Sequence, residues 1–116
     1  MRIQGIYAAL TTREMAKGEQ FYTALFGRGP DDRPMDSLIQ WRDVAGANVQ
    51  LFTDEKNAGH SRCTIVVPDM SEARNCLAAA GITVRDERQG DFGKIAQVDD
   101  PDGNVVTLAE PPTERP

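Results

Sequence analysis

Hydrophobic and polar residues alternate near the start of the chain, and the pattern then changes to a helical spacing. Residues 6–11 place Leu10 on one face of an extended segment and Tyr7 on the other. From 13 to 26, apolar residues recur every three or four positions, as on one face of a helix. Gly27 follows, where a left-handed residue commonly ends a helix. The opening of the chain therefore predicts a strand followed by a helix.

Two strands are predicted in the next part of the chain. Residues 28–36 contain two prolines, a glycine and several charges, which predicts a loop. Alternating patterns at 38–44 and 48–52 predict strands, and the small residues at 45–47 suit a turn between them. Residues 53–61 are polar and predict a linker.

The pattern restarts after this linker. Residues 62–67 alternate again, and Asp69 with Glu72 has the capping-box spacing for a helix that Gly81 would end. Strands are then predicted at 82–87, 94–98 and 105–108. Before the last strand, Asp100 is placed to accept hydrogen bonds from the turn Asp-Pro-Asp-Gly-Asn.

The order of elements is similar in the two halves and is interpreted as βαβββ repeated. We predict a single α+β domain with a first module at 1–55, a second module at 60–110 and a flexible tail at 111–116. The alternative is a generic α+β domain whose halves look alike by chance.

Charge and composition argue against several classes of protein. The 116 residues are 40% hydrophobic with a net charge of −5, so neither a disordered chain nor a nucleic-acid-binding protein is expected. Without a long apolar run or a signal-peptide pattern, we expect a cytoplasmic protein that does not bind a membrane. Cys63 and Cys76 each lie within an apolar pattern, which predicts buried free thiols.

Three motifs resemble the vicinal oxygen chelate superfamily, which includes glyoxalase I, bleomycin-resistance proteins and extradiol dioxygenases. Residues 21–27 look like a helix end of that family, residues 100–104 look like its DPDGN turn, and residues 67–70 complete the order. The resemblance implies an α+β fold of two βαβββ modules with mixed β-sheets curled into an open cup, the helices outside and the site inside. It also implies a homodimer, as in the bleomycin-resistance branch.

The family's enzymes hold a divalent metal with four side chains, two from each module. By the resemblance, these positions fall on Tyr7, Gln50, Arg62 and Thr107. An arginine has no lone pair for a metal, and a threonine hydroxyl is a weak neutral ligand. We therefore expect no metal and no other cofactor. A shift of two residues would instead bring His60, the only histidine, to the third position.

The resemblance places aromatic, polar and cationic side chains inside the cup. The candidate ligand-binding residues are Tyr7, Gln50, Phe52, Arg62, Thr64 and Thr107. Rings stack on ligands, amides and hydroxyls orient them, and arginine holds carboxylates or phosphates. Equally, Tyr7 and Phe52 can fill the interior, and Arg62 can form a structural ion pair. The strand phase leaves open whether Trp41 lines the cup or a subunit interface.

These expectations favour a metal-free protein that binds a small organic molecule and resembles antibiotic-sequestering resistance proteins. No catalytic residue is assigned, and whether the protein is an enzyme is left open. The alternative is a metal-dependent lyase, isomerase or dioxygenase of the same superfamily. A third hypothesis is an interaction or scaffold module whose cup is filled by side chains.

Overall fold

The computed structural model describes residues 1–91 and 93–112, which form two helices and eight strands. The elements are β1 (Tyr7–Thr12), α1 (Met15–Phe26), β2 (Asp32–Met35), β3 (Leu38–Val44), β4 (Ala47–Thr53), β5 (Arg62–Val66), α2 (Met70–Ala79), β6 (Arg85–Gly90), β7 (Gly93–Asp99) and β8 (Val105–Glu110). Of the predicted tail, residues 113–116 lie outside the described part. Within that part, neither helix is long and apolar enough to cross a membrane.

The strands form two four-stranded sheets of the same topology. Sheet 1 has the order β1-β4-β3-β2 and sheet 2 the order β5-β8-β7-β6. In each sheet the first strand pairs parallel with the last, and the other pairs are antiparallel. One helix follows the first strand of each sheet. The predicted α+β fold with two βαβββ modules is therefore confirmed.

The chain forms two compact units. Unit 1 comprises Met1–Ser61 together with Asp100–Asn104, and unit 2 comprises Arg62–Asp99 together with the residues from Val105 onward. The turn that joins β7 to β8 therefore belongs, by its contacts, to unit 1.

A buried carboxylate holds this turn in place. Asp100 is only 6% exposed and accepts a hydrogen bond from the Tyr22 hydroxyl at 2.6 Å. It also accepts from the backbone N–H groups of Asp102 at 2.8 Å and Asn104 at 2.9 Å, as the turn sequence predicts. Asp102 in turn accepts from the Thr12 hydroxyl at 2.6 Å. The turn is thus fixed both by its own backbone and by β1 and α1.

Trp41, whose position was left open, lies in the core of unit 1. Its side chain is fully buried, as are those of Ile39 and Leu51. Its ring meets Phe26 of α1 edge-on at a centroid distance of 5.3 Å. The indole Nε1 donates to the backbone oxygen of Arg28 at 2.9 Å, so the one polar atom of the ring is satisfied.

The predicted loop at 28–36 is wrong in part, because Asp32–Met35 forms strand β2. This strand lies at the edge of sheet 1 and pairs antiparallel with β3 through an irregular register. Pro34 is compatible with that position, since an edge strand has one side on which no N–H donor is needed. Proline and charge, from which a loop is predicted, are therefore also compatible with an edge strand.

Two details of unit 2 also differ from the sequence prediction. Strand β6 spans Arg85–Gly90 and not the predicted 82–87. Ile82 and Val84 are buried but lie in the segment before the strand. Cys76 is exposed on α2, so the prediction of a buried thiol is wrong there. The buried face of α2 instead uses Met70 and Leu77, which are one heptad apart and so share a face.

Candidate functional site

Each sheet has a buried face and an opposite face that carries mostly polar side chains, called here its polar face. In sheet 1 the buried face lies against α1, where Gly18 approaches Leu51 so closely that an added Cβ would sit 3.0 Å from its Cδ2. The polar face of sheet 1 carries Tyr7, Asp32, Gln40, Arg42, Gln50 and Phe52. That of sheet 2 carries Arg62, Thr64, Arg85, Gln97, Asp99 and Thr107.

Three of the predicted ligand-binding residues lie together on the polar face of sheet 1. Gln50 and Phe52 are alternate residues of β4, and Tyr7 lies on the neighbouring parallel strand, where it pairs with Asn48. All three side chains are half-buried. Ala9, the partner of Gln50, is small and exposed. No large side chain of β1 therefore stands directly beside Gln50 on this face.

A chain of hydrogen bonds crosses sheet 1 from Gln50. Its Nε2 donates to Oε1 of Gln40 at 2.9 Å, and Nε2 of Gln40 donates to Oδ1 of Asp32 at 3.0 Å. Arg42 then donates to the second oxygen of Asp32. The Arg42 hydrogen bond, aided by Gln40, lowers the pKa of Asp32, and Asp32 raises the pKa of Arg42. The network thus includes the Asp32–Arg42 ion pair, and a hydrogen bond with the Tyr7 side chain also raises the pKa of Arg42.

The other three predicted residues lie on the polar face of sheet 2. Thr64 of β5 pairs directly with Thr107 of β8, and Arg62 pairs with Val105. The side chain of Arg62 is exposed, and it forms no ion pair with any residue among 1–91 and 93–112. For the described chain, a structural ion pair of Arg62 is thus not observed, which leaves its guanidinium available to a ligand.

A second ion pair lies further across sheet 2. Arg85 donates through Nε and Nη2 to the two oxygens of Asp99, both at 2.7 Å, and through Nη1 to Oε1 of Gln97 at 3.0 Å. This paired hydrogen bonding raises the pKa of Arg85 and lowers that of Asp99. A planar guanidinium that holds both carboxylate oxygens has a fixed orientation.

Comparison with known proteins gives structural matches only. No protein-family model matches the sequence, and a search of curated proteins finds no significant match. The structure is similar to a glyoxalase/bleomycin resistance protein from Catenulispora Acidiphila DSM 44928, with a TM-score of 0.83 at 20% identity, over 93% of this chain and 98% of that one. The chain has the glyoxalase/bleomycin resistance fold.

Two further proteins of this fold are described by what they bind. A bleomycin-binding protein complexed with bleomycin matches with a TM-score of 0.74 at 18% identity, over 95% of this chain and 100% of its own. TnmS3, an antibiotic binding protein from Streptomyces sp. CB03234, matches with a TM-score of 0.75 at 23% identity, over 97% and 99%. At these identities, the likeness is one of fold.

The residues that the family resemblance assigns to a metal do not fit one. Tyr7 and Gln50 stand two positions apart in the β1–β4 register, and Arg62 and Thr107 stand two positions apart in the β5–β8 register. The positions thus correspond between the sheets, but a guanidinium and a threonine hydroxyl are unsuitable donors. His60 is exposed and lies outside β5, so the two-residue shift does not bring it into the strand. Among the described residues, no three His, Cys, Asp or Glu side chains form a metal-binding group.

Several polar-face residues were not found from the sequence. Gln40 lies opposite Gln50 in a strand pair that was predicted, so strand phase could have placed it on this face. Asp32 could not be placed, because the sequence predicts a loop where the structure has β2. Prediction of the Arg85–Asp99 pair requires the order of β6 and β7 in the sheet, which residue types alone do not give.

A separate depression of about 500 Å³ lies in unit 1, beside the first residues of the chain. It is lined by Ile3 to Ile6, Ala8 and Gly46 to Asn48. None of the predicted ligand-binding residues borders it, and its walls contain no ionisable side chain. The polar face of each sheet, taken by itself, is therefore a candidate site.

Proposed function

We propose that this protein binds small organic molecules on the polar faces of its two sheets, each taken by itself, holds them without a metal and releases them unchanged. The observation that carries the proposal is the arrangement on sheet 1, where Gln50 lies between half-buried aromatic side chains on one strand pair. Apolar surface with a few oriented polar groups is typical of small-molecule sites. Proteins of the same fold that bind bleomycin and other antibiotics support it.

Each predicted residue has a role in this proposal. Tyr7 and Phe52 offer rings for stacking, and Gln50 orients the ligand by a hydrogen bond. On the polar face of sheet 2, taken by itself, Arg62 binds an anionic group, and the neighbouring hydroxyls of Thr64 and Thr107 accept or donate beside it. Sequestration needs only this binding, because no proton or group is transferred.

A thermal-shift screen of aromatic, peptide-like antibiotics and acidic metabolites tests the proposal. Ligands that bind only the folded state raise the melting temperature in a concentration-dependent way. We expect Phe52→Ala and Arg62→Ala to weaken the shift, and Arg88→Ala, an exposed arginine of β6 outside the proposed set, to leave it unchanged. A complete screen without any shift would contradict the proposal.

Elemental mass spectrometry of tag-free protein tests the metal-free part. The protein is measured before and after incubation with Zn, Fe(II), Mn and Ni. We expect far less than one metal per chain, because Tyr7, Gln50, Arg62 and Thr107 are a poor donor set. Near-stoichiometric metal would favour the alternative, a metal-dependent lyase, isomerase or dioxygenase.

The proposal includes a homodimer, as expected from the family resemblance, and a cytoplasmic location, as expected from the sequence pattern. Light scattering coupled to size-exclusion chromatography distinguishes a 12.7 kDa monomer from a dimer. A monomer at all concentrations would remove the dimer from the proposal and leave ligand binding to stand by itself.

A further inference from the structure

The side-chain amides of Gln40 and Gln50 on the polar face of sheet 1 are oriented the same way, each with its nitrogen toward Asp32. Asp32 is ionised beside Arg42, and an ionised carboxylate only accepts hydrogen bonds. Gln40 must therefore turn its Nε2 toward Asp32, as the 3.0 Å contact shows. The Oε1 of Gln40 then points the other way and accepts from Nε2 of Gln50 at 2.9 Å. The ion pair thus sets the orientation of two successive amides.

This orientation leaves the Oε1 atom of Gln50 available. No residue in the described part of the chain donates a hydrogen bond to it. Across the strand pair lies the small, exposed Ala9, so a ligand can approach this oxygen. Phe52 lies on the same face two residues along β4, a spacing of about 7 Å in a strand. A ring against Phe52 can therefore carry a polar group that reaches Gln50.

We infer that Gln50 determines ligand specificity, and that the group it recognises is an N–H donor such as a carboxamide on an aromatic ring. An ester or a carboxylate at the same place would turn a lone pair toward Oε1 and gain no hydrogen bond there. The inference rests on the proposed function and names the chemical class of its ligand.

Two compounds of nearly equal shape test this specificity. Benzamide carries the N–H donor and methyl benzoate does not. Both are titrated into ¹⁵N-labelled protein, and binding is followed on the backbone and glutamine side-chain amide signals. We expect benzamide to bind about fivefold more tightly, the worth of about one net hydrogen bond, and to shift the side-chain signal of Gln50.

Gln50→Leu removes the acceptor and keeps the size of the side chain. We expect it to abolish the preference for benzamide, whereas Gln89→Leu, an exposed glutamine of β6, should preserve it. Equal affinities in the wild type, or a preference that survives Gln50→Leu, would overturn the inference and leave the proposed function standing. Signals that respond to neither compound, together with an empty ligand screen, would overturn both.

A double-mutant cycle tests the amide direction without any ligand. In Gln50→Glu the new carboxylate needs a donor from Gln40, which already gives its Nε2 to Asp32, so the urea midpoint should fall. Asp32→Asn supplies a side chain that donates to Gln40, and the whole chain of amides can then reverse. We expect Asp32→Asn to recover at least half of the midpoint lost in Gln50→Glu. Additive losses would show that Asp32 does not orient Gln50, and would overturn the inference.

Discussion

The polar faces of the two sheets carry the same ion pair with the charges exchanged. In sheet 1 the edge strand β2 supplies Asp32 and β3 supplies Arg42, whereas in sheet 2 the edge strand β6 supplies Arg85 and β7 supplies Asp99. The positions correspond, because Asp32 pairs with Gln40 and Arg85 pairs with Gln97. In each case the second charge lies two residues after that glutamine, on the same face.

The exchange of charge reverses the glutamine beside each pair. Gln40 donates through its Nε2 to a carboxylate, whereas Gln97 accepts with its Oε1 from a guanidinium. Gln40 of sheet 1 therefore presents its Oε1 toward β4, whereas Gln97 of sheet 2 presents its Nε2 toward β8. Either direction of charge joins the edge strand of a sheet to its neighbour. The direction is thus free to serve ligand recognition, which is the basis of the inference on Gln50.

The largest difference between the sheets should appear in their buried faces. Trp41, opposite Val49, corresponds to Val98, opposite Val106. We expect Trp41→Ala to lower the free energy of unfolding by about 3–5 kcal/mol, because a large cavity forms and the oxygen of Arg28 loses its donor. Val98→Ala, which removes much less volume, should cost about 1–2 kcal/mol.

Urea denaturation of both variants measures this comparison, with Val66→Ala at an exposed position of β5 as the control. If Trp41→Ala and Val98→Ala lower the free energy of unfolding by similar amounts, the prediction is wrong. The tryptophan would then contribute no more to unit 1 than the valine contributes to unit 2.

The next effect concerns the hairpin turns of the two sheets. The β3–β4 turn at Ala45 and Gly46 is exposed, whereas the β7–β8 turn is fixed through Asp100. Tyr22→Phe removes a donor to this buried carboxylate without changing the ring, and we expect a loss of about 1.5–3 kcal/mol. Tyr7→Phe, at a half-buried tyrosine, is the matched control and should cost less.

Thermal and urea unfolding of the two tyrosine variants provide the measurement. A Tyr22→Phe protein as stable as Tyr7→Phe would show that the remaining donors of Asp102 and Asn104 satisfy Asp100 by themselves.

How far the sequence predicts this molecule depends on whether a feature is local or depends on strand order. Gly27 and the Asp69–Glu72 cap were predicted because each acts within a few residues of chain, and both have the expected geometry. Strand parity, together with the family resemblance, put Gln50 and Phe52 on one face. Asp32 was missed because its contact with Arg42 needs the irregular β2–β3 register, and a bulge shifts which residues meet.

Exchange of Asp32 and Arg42 would place the arginine on the edge strand of sheet 1, as in the ion pair of sheet 2. The double variant Asp32→Arg/Arg42→Asp keeps an ion pair between β2 and β3. Its urea midpoint should therefore lie nearer the wild type than that of either single variant, in which like charges meet.

The same double variant should also change which ligand is preferred. Gln40 should turn its oxygen toward the new guanidinium on β2 and its nitrogen toward Gln50. Methyl benzoate should consequently gain affinity relative to benzamide in the same titrations. An unchanged preference would separate the ion pair from ligand recognition.

The smallest expected effect is the dependence of stability on acid. Arg85 lowers the pKa of Asp99 in the folded state below its ordinary value near 3.8. The resulting stabilisation is therefore complete above that ordinary pKa and is lost as the pH falls through the folded value. Asp32 has the same sign through Arg42. Because both pairs are partly exposed, salt should reduce the effect.

Urea midpoints measured from about pH 6 down to about pH 2, across the range in which carboxylates titrate, should fall toward acid in the wild type. Asp99→Asn and Asp32→Asn should each flatten part of this slope, and by similar amounts if the two exchanged pairs are equivalent. Asp36→Asn, at an exposed carboxylate outside both pairs, should leave the slope unchanged. A flattening by only one of the paired variants would show that charge direction, and not only position in the sheet, decides how strongly a pair holds its two strands together.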